Sequence, residues 1–249
     1  MSGGAVHRHA VRHLVRGGVN RPAVMKAIEA GQGGPLQIAY DLGVDAGLPR
    51  DILLDRAAAV FLMFACLNLT DDLQDGDAGD YLAAPASEGP AVQLLLQCES
   101  FALLAAAGVA PSDIAAIGHD VATAAAGQLE EIEDAAWTAD RYLRVGESIA
   151  GLQYAVYATI MWSGTPLAPD ARAVGRALGF AAHVAEDLRS EDRRLLSVPE
   201  ADLDRVLSVA RADVSMLMQH SAATARRASE WLAPRLRHSK VRREITPQG

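Results

Sequence analysis

The hydrophobic and polar positions of the chain fall into long apolar stretches, each closed by glycine, proline or a cluster of acids. The most apolar, residues 57–69 (AAAVFLMFACLNL), carries Asn68 as its one polar side chain. A helix that is apolar on every face belongs in a core, so a buried helix is expected here. Residues 91–107 form a second apolar helix, stopped by Gly108 and Pro111. The segments 31–35 (GQGGP), 76–90 (GDAGDYLAAPASEGP) and 164–166 (GTP) read as connections. Asp51 is a candidate cap for the apolar helix, and Ser112-Asp113 start a helix that continues to about Ala136. Gly146 and Gly151 are soft points in a helix over 138–163, Pro169-Asp170 opens another, and Pro234 marks the end of the last. No segment alternates as a half-buried strand does. The expected fold is therefore all-α, a single-domain bundle of roughly eight to ten helices.

Composition narrows this reading. At 249 residues, 50% of them hydrophobic, the chain is long enough for one sizeable core. No apolar run reaches about 18 residues without charge, so no transmembrane segment is expected. No apolar signal core follows the basic N-terminus, which points to a cytoplasmic protein. Cys66 and Cys98 sit in apolar helical context and read as packing groups, not a disulfide. A net charge of −8 argues against nucleic acid as a partner. The charge is uneven, however, and the basic ends, residues 1–30 and 235–249, are expected to be flexible. His7, His9 and His13 then belong to the N-terminal tail and not to a metal site.

The candidate chemistry lies where the apolar runs end. Asp71, Asp72 and Asp75 follow directly on residues 57–69, and the four-residue spacing puts Asp71 and Asp75 on one helical face. Concentrated carboxylates at the end of a buried helix call for cations, and a few hard oxygen ligands suit Mg2+ with waters and a substrate phosphate. A second cluster, Glu186-Asp187-Leu188-Arg189-Ser190-Glu191-Asp192, follows the apolar run 177–185 and repeats the spacing at Asp187 and Glu191. Two such helices facing each other would line the mouth of an apolar cavity with carboxylates. The expected metal ligands are Asp71, Asp72, Asp75, Glu186, Asp187 and Glu191. Carboxylate-bridged di-iron bundles need Glu-x-x-His pairs, and no Glu lies three residues before any His here.

With these residues in view, the chain resembles the trans-type isoprenyl diphosphate synthases and the wider class I terpenoid synthases. DDLQD at 71–75 matches the DDxxD motif at the end of a buried helix. Gly127-Gln128-Leu129-Glu130-Glu131-Ile132 resembles the GQxxDL segment, with Glu131 in the acidic position. Tyr142-Leu143, followed by Ala150-Gly151-Leu152, is similar to the stretch that carries a Lys-Thr pair, and EDLRSED at 186–192 resembles the second aspartate-rich motif. The order holds over roughly residues 50–200.

The resemblance implies an isoprenoid-synthase bundle with a central apolar cavity and two or three Mg2+ ions bound with diphosphate. It implies an enzyme that ionises an allylic prenyl diphosphate (C10–C20), with Asp71, Asp75 and Asp187 as the catalytic metal-holding carboxylates. Gln128, Arg144, Arg189, Arg193, Arg194, Tyr154 and Phe64 are the implied substrate-binding residues, and a homodimer is the implied assembly. The departures matter as much. The GGKRxRP segment that helps hold isopentenyl diphosphate is reduced to Gly17-Gly18-Val19-Asn20-Arg21-Pro22, the arginine pair after DDxxD is missing, and Ser148 or Ile149 stands where a lysine is expected before the second motif. Transfer to an acceptor other than isopentenyl diphosphate is therefore expected. The alternatives are a terpene synthase on the same scaffold and a non-catalytic partner subunit.

Overall fold

The uncharged run of residues 57–69 lies in a helix that is largely buried, as its apolar pattern requires, with Phe64, Leu67 and Asn68 half-buried. The computed structural model describes residues 3–30, 36–75, 88–133 and 135–237. Among them the regular structure is helical, with no strand. The first helices are α1 (Gly3–Arg16), α2 (Pro22–Ala30), α3 (Leu36–Asp45), α4 (Arg50–Asp75), α5 (Gly89–Ala106) and α6 (Pro111–Glu131). There follow α7 (Ala139–Gly146), α8 (Leu152–Trp162), α9 (Ala171–Ser190), α10 (Arg193–Ser197), α11 (Glu200–Gln219) and α12 (Ala223–Arg237). The chain divides into two units, Met1–Asp120 with Val156–Arg172, and Val121–Ala155 with Ala173–Gly249.

The first unit is built around α4. Ala57, Ala58, Ala59, Val60, Phe61, Leu62 and Met63 are wholly buried, and each large side chain among them stabilises the fold by about 2 kcal/mol. Helices α1, α2, α3 and α5 pack around it. Ser100 of α5 donates to the Ala59 carbonyl at 2.9 Å and the Cys66 thiol to the Gln93 carbonyl at 3.4 Å, so α4 and α5 run antiparallel. The buried Arg56 guanidinium donates to the carbonyls of Ile160 (3.1 Å) and Ser163 (2.8 Å) and so closes the C-terminal end of α8. Asp51 lies in the first turn of α4 and not at its cap, because the helix already begins at Arg50.

Among the described residues two helices are long and apolar enough to cross a membrane by length and composition, Arg50–Gln74 and Gly89–Ala106, where no transmembrane segment was expected. The apolar window of α4 is 67% buried inside the protein, which is the signature of a core helix; that of α5 is 33% buried.

The basic N-terminal stretch is not a frayed end. Val6, Ala10 and Leu14 of α1 recur at helical spacing and are wholly buried against the first unit. His9 pairs with Asp55 at 2.6 Å and His13 with Glu99 at 2.8 Å. The apolar period of α1 outweighs its charge, and burial of that stripe holds the helix down. Of the expected flexible C-terminal end, residues 238–249 lie outside the described residues.

Residues 139–162 form one helix interrupted by a π turn, Glu147–Gly151, which belongs to the second unit and follows Gly146 and ends on Gly151, the two glycines that the sequence marks as soft. Helix α9 passes close to this turn. A Cβ on Gly179 would stand 2.1 Å from the Ala150 carbonyl oxygen, so only glycine permits the approach. Helix α6 stops at Glu131, short of Ala136. Glu130, Glu131 and Glu133 crowd negative charge onto the negative end of the helix dipole, which disfavours further turns. Arg141 then caps that end, donating to the carbonyls of Glu130 (2.6 Å), Glu133 (3.0 Å) and Ala135. Pro234 lies inside α12 and does not end it. One missing backbone donor is tolerated there, with Leu232 and Leu236 buried on either side.

Candidate functional site

The first acidic cluster occupies the last turns of α4. Asp71 and Asp75 are both helical and four residues apart, so they share a face. Asp71 is exposed, and Asp72 is half-buried and accepts a 2.9 Å hydrogen bond from the Asn68 amide. The side chain of Asp75 lies outside the described residues. One turn earlier, Thr70 donates to the Cys66 carbonyl at 2.9 Å and accepts from Gln93 at 2.7 Å. Asp71, Asp72 and Asp75 thus fall in the last turns of a 26-residue helix with no basic residue in its last turn. The helix dipole opposes them there, and a bound cation would reverse that penalty. Carboxylate oxygens are the donor type Mg2+ prefers, and among the described residues no group of three or more His, Cys, Asp or Glu side chains comes together to hold a metal ion.

Phe64 is half-buried, whereas Phe61 is wholly buried core. Burial pushes the Cys66 thiol up to about 11, so it stays protonated and acts as a packing group.

The second acidic cluster is arranged differently from the expectation. Asp187 is on α9, but the helix ends at Ser190 and Glu191 follows in the left-handed region (φ 55°). The Asp192 amide closes the end on the Asp187 carbonyl at 2.9 Å, the 6→1 bond of a Schellman motif. The four-residue spacing therefore does not bring Glu191 onto the face of Asp187. Asp192 caps α10, accepting from the Arg194 amide at 2.8 Å.

Asp187 itself faces protein. Its side chain is 7% exposed, its Oδ2 accepts from the Tyr142 hydroxyl at 2.5 Å, and His183 Nε2 lies 3.6 Å from the same oxygen. Burial pushes its carboxyl above the usual range, against the opposing pull of His183 and Tyr142. The Tyr142 ring stacks on His183 (centroids 5.6 Å) and meets Trp137 edge-on (6.3 Å). Tyr142 and His183 were not legible as partners of Asp187. The one available signal is the helical spacing of His183 and Asp187 on a shared face.

Glu186 and Glu191 are the carboxylates of this cluster that face solvent. Glu186 is 55% exposed and pairs locally with Arg189, itself 68% exposed, and that guanidinium holds it below the usual range. Arg144 pairs with Glu130, and Arg194 with both Glu131 and Asp192. Arg193 is exposed. Gln128 is buried, and Tyr154 is half-buried with its hydroxyl pushed up to about 12 by its surroundings. The structure thus joins Glu131 of the GQxxDL-like segment to Arg194 beyond the second cluster, and turns most of the expected arginines toward carboxylates.

No protein-family model matches the chain, and no curated protein matches its sequence. Solved structures do match. The geranyltranstransferase of Thermotoga maritima is 16% identical, with a TM-score of 0.74 over 94% of this chain and 96% of that one. The geranylgeranyl pyrophosphate synthetase of the archaeon Geoglobus acetivorans is 15% identical, with a TM-score of 0.69 over 94% and 98%. The geranyltransferase of Helicobacter pylori, solved with magnesium and isoprenyl diphosphate, is 13% identical, with a TM-score of 0.59 over 87% and 89%. These similarities run nearly end to end in both partners. The chain has the all-α fold of the isoprenyl diphosphate synthases.

Proposed function

We propose that the chain is a Mg2+-dependent isoprenoid synthase that ionises an allylic prenyl diphosphate (C10–C20), releases pyrophosphate and transfers the prenyl cation to an acceptor other than isopentenyl diphosphate. The observation that carries this reading is the acidic end of α4: Asp71, Asp72 and Asp75 at the negative pole of a buried helix, in the fold of synthases one of which was solved with magnesium and isoprenyl diphosphate. Asp71 and Asp75 would hold Mg2+ from one face, with Asp72 steadied by Asn68. Such a metal, when bound, would supply neutralisation of the charge on a leaving diphosphate.

In the second unit, Glu186 is the carboxylate assigned to a further ion, since its partner Arg189 is exposed and an incoming cation could replace it. Asp187 and Glu191 are assigned supporting roles there. Arg144, Arg189, Arg193 and Arg194 are the candidate donors to diphosphate oxygens. Gln128, Tyr154 and Phe64 are assigned to the surroundings of the prenyl tail.

The exclusion of isopentenyl diphosphate rests on the replaced residues. Gly17–Pro22 offers Arg21 as its one cation, and Ser148-Ile149 sit in the π turn without a lysine. The likeness over nearly the whole chain supports residues 1–249 as one isoprenoid-synthase-like domain. A cytoplasmic homodimer is part of the same reading. Ala91, Leu94, Cys98, Ala102 and Ala105 form an exposed, uncharged stripe along α5 suited to a second copy.

The test is to give the purified protein C10, C15 and C20 allylic diphosphates with Mg2+, with and without isopentenyl diphosphate and other acceptors, and follow pyrophosphate and products. Release that requires a non-isopentenyl acceptor supports transfer. Release without any acceptor, yielding hydrocarbons or alcohols, makes the protein a terpene synthase. No release from any substrate leaves a non-catalytic subunit.

A further inference from the structure

Helix α1 has a buried face and an outer face of different character. Val6, Ala10 and Leu14 are buried, while Arg8, Arg12 and Arg16 are all exposed. Their four-residue spacing stacks the three guanidinium groups in one row. Val15 is 50% exposed and, three residues after Arg12 and seven after Arg8, falls in the same sector. Among the described residues none of the three arginines has a carboxylate partner. Asp55 of α4 and Glu99 of α5 are taken by His9 and His13 on its flank, and Glu29 acts on His7. Arg21 and Lys26 extend the exposed positive charge beyond the helix. The whole chain has 31 acidic against 23 basic residues, yet no acid precedes Glu29.

We infer that the outer face of α1 docks the protein reversibly onto an anionic lipid surface. Two features favour lipid over a folded acidic partner. Guanidinium groups bind phosphate oxygens through paired donors, which suits a headgroup layer. The row is also repetitive and shapeless, giving charge without a pocket. A fluid layer whose headgroups move to the cations needs no shape, whereas a folded partner does. Val15 adds one apolar contact at the boundary of headgroup and acyl chain. The apolar stripe of α1 stays committed to the protein core, so the contact is electrostatic and superficial and does not insert the helix. This docking is independent of the reaction proposed above.

The test is cosedimentation of the full chain with phosphatidylcholine vesicles, either pure or with about a third phosphatidylserine, at low and high salt. Binding to the anionic vesicles alone, released by salt, is expected. The triple variant R8Q/R12Q/R16Q should bind on the order of a hundredfold more weakly, at about fivefold per basic side chain. Its thermal melt should be unchanged, because all three side chains are exposed. Should that variant fold poorly, the lipid and salt arms with the native chain still decide the matter. Equal binding to neutral vesicles, or no binding to anionic ones, overturns the inference. So does capture of polyglutamate or an oligonucleotide in place of vesicles.

Discussion

The Tyr142 hydroxyl donates a 2.5 Å hydrogen bond to Oδ2 of Asp187, and the His183 ring stacked on Tyr142 points Nε2 at the same oxygen from 3.6 Å. The most conspicuous carboxylate of the second cluster is thereby an anchor joining α7 to α9. Replacing Tyr142 by Phe removes a donor from a buried carboxylate and is expected to cost about 1–3 kcal/mol in urea unfolding. Asp187→Asn keeps an acceptor and sheds a buried charge, so it should cost less than Tyr142→Phe. The reverse order would refute the anchor.

At the end of α4, function and stability oppose each other. Asp71→Asn should lower the rate of pyrophosphate release by about a hundredfold or more, the scale of losing a charge-stabilising group. Without Mg2+ the same change should leave the melting temperature equal or slightly higher, since it removes a negative charge from the negative end of a helix, an effect of about 0.5 kcal/mol. A falling melting temperature in the metal-free protein would mean that Asp71 is structural.

Arg56 shows how a buried charge is retained. Burial pulls its guanidinium down while Asp113 pulls it up, and its hydrogen bonds go to the last carbonyls of α8. Arg56→Met should leave those acceptors without a donor and destabilise the first unit by about 2 kcal/mol, measured by chemical denaturation. An unaffected midpoint would show that water replaces the guanidinium.

Asp213 provides a pH signature. Burial, reinforced by Glu147 and opposed by Arg176, pushes its carboxyl up to about 6 from 3.8. A raised carboxyl means that the native state binds the proton more tightly, so this group supports folding at low pH. Its contribution is lost as pH rises from about 4 through about 6. Asp213→Asn should therefore stabilise the protein at neutral pH, on the order of 2 kcal/mol, and have little effect near pH 4. Thermal melts across that range that shift in parallel would refute the assignment.

The outer stripe of α5 predicts assembly. Leu94 is 65% exposed on an otherwise apolar surface. Leu94→Glu should convert a dimer to monomer in sedimentation velocity with helicity retained. A native chain that sediments as a monomer would remove the α5 dimer from consideration.

The fold was legible because its strongest signals are periodic. The apolar run of α4 and the breakers around it follow from burial and backbone geometry, which local sequence reports directly. Even the soft points Gly146 and Gly151 turn out to bracket the π turn. The readings that changed depend on what a residue meets in space. The basic charge of residues 3–16 masked a buried stripe of Val6, Ala10 and Leu14. The spacing of Asp187 and Glu191 implied a shared face, but helix termination rotates Glu191 away, and no local pattern announces a Schellman ending at a non-glycine residue. Partners such as Tyr142 for Asp187, 45 residues apart, are set by packing alone.

The π turn at Glu147–Gly151 has a consequence for comparing this chain with others. Its Leu152 amide reaches back five residues to the Glu147 carbonyl, so the helix takes up one residue more there than a regular turn would hold. The halves before and after it keep independent phases, and a single deletion would restore a continuous α-helix at the cost of rephasing one of them. Any alignment that treats residues 139–162 as uninterrupted will slip by a position on one side, and Ser148 and Ile149 lie where that slip decides which residue is matched.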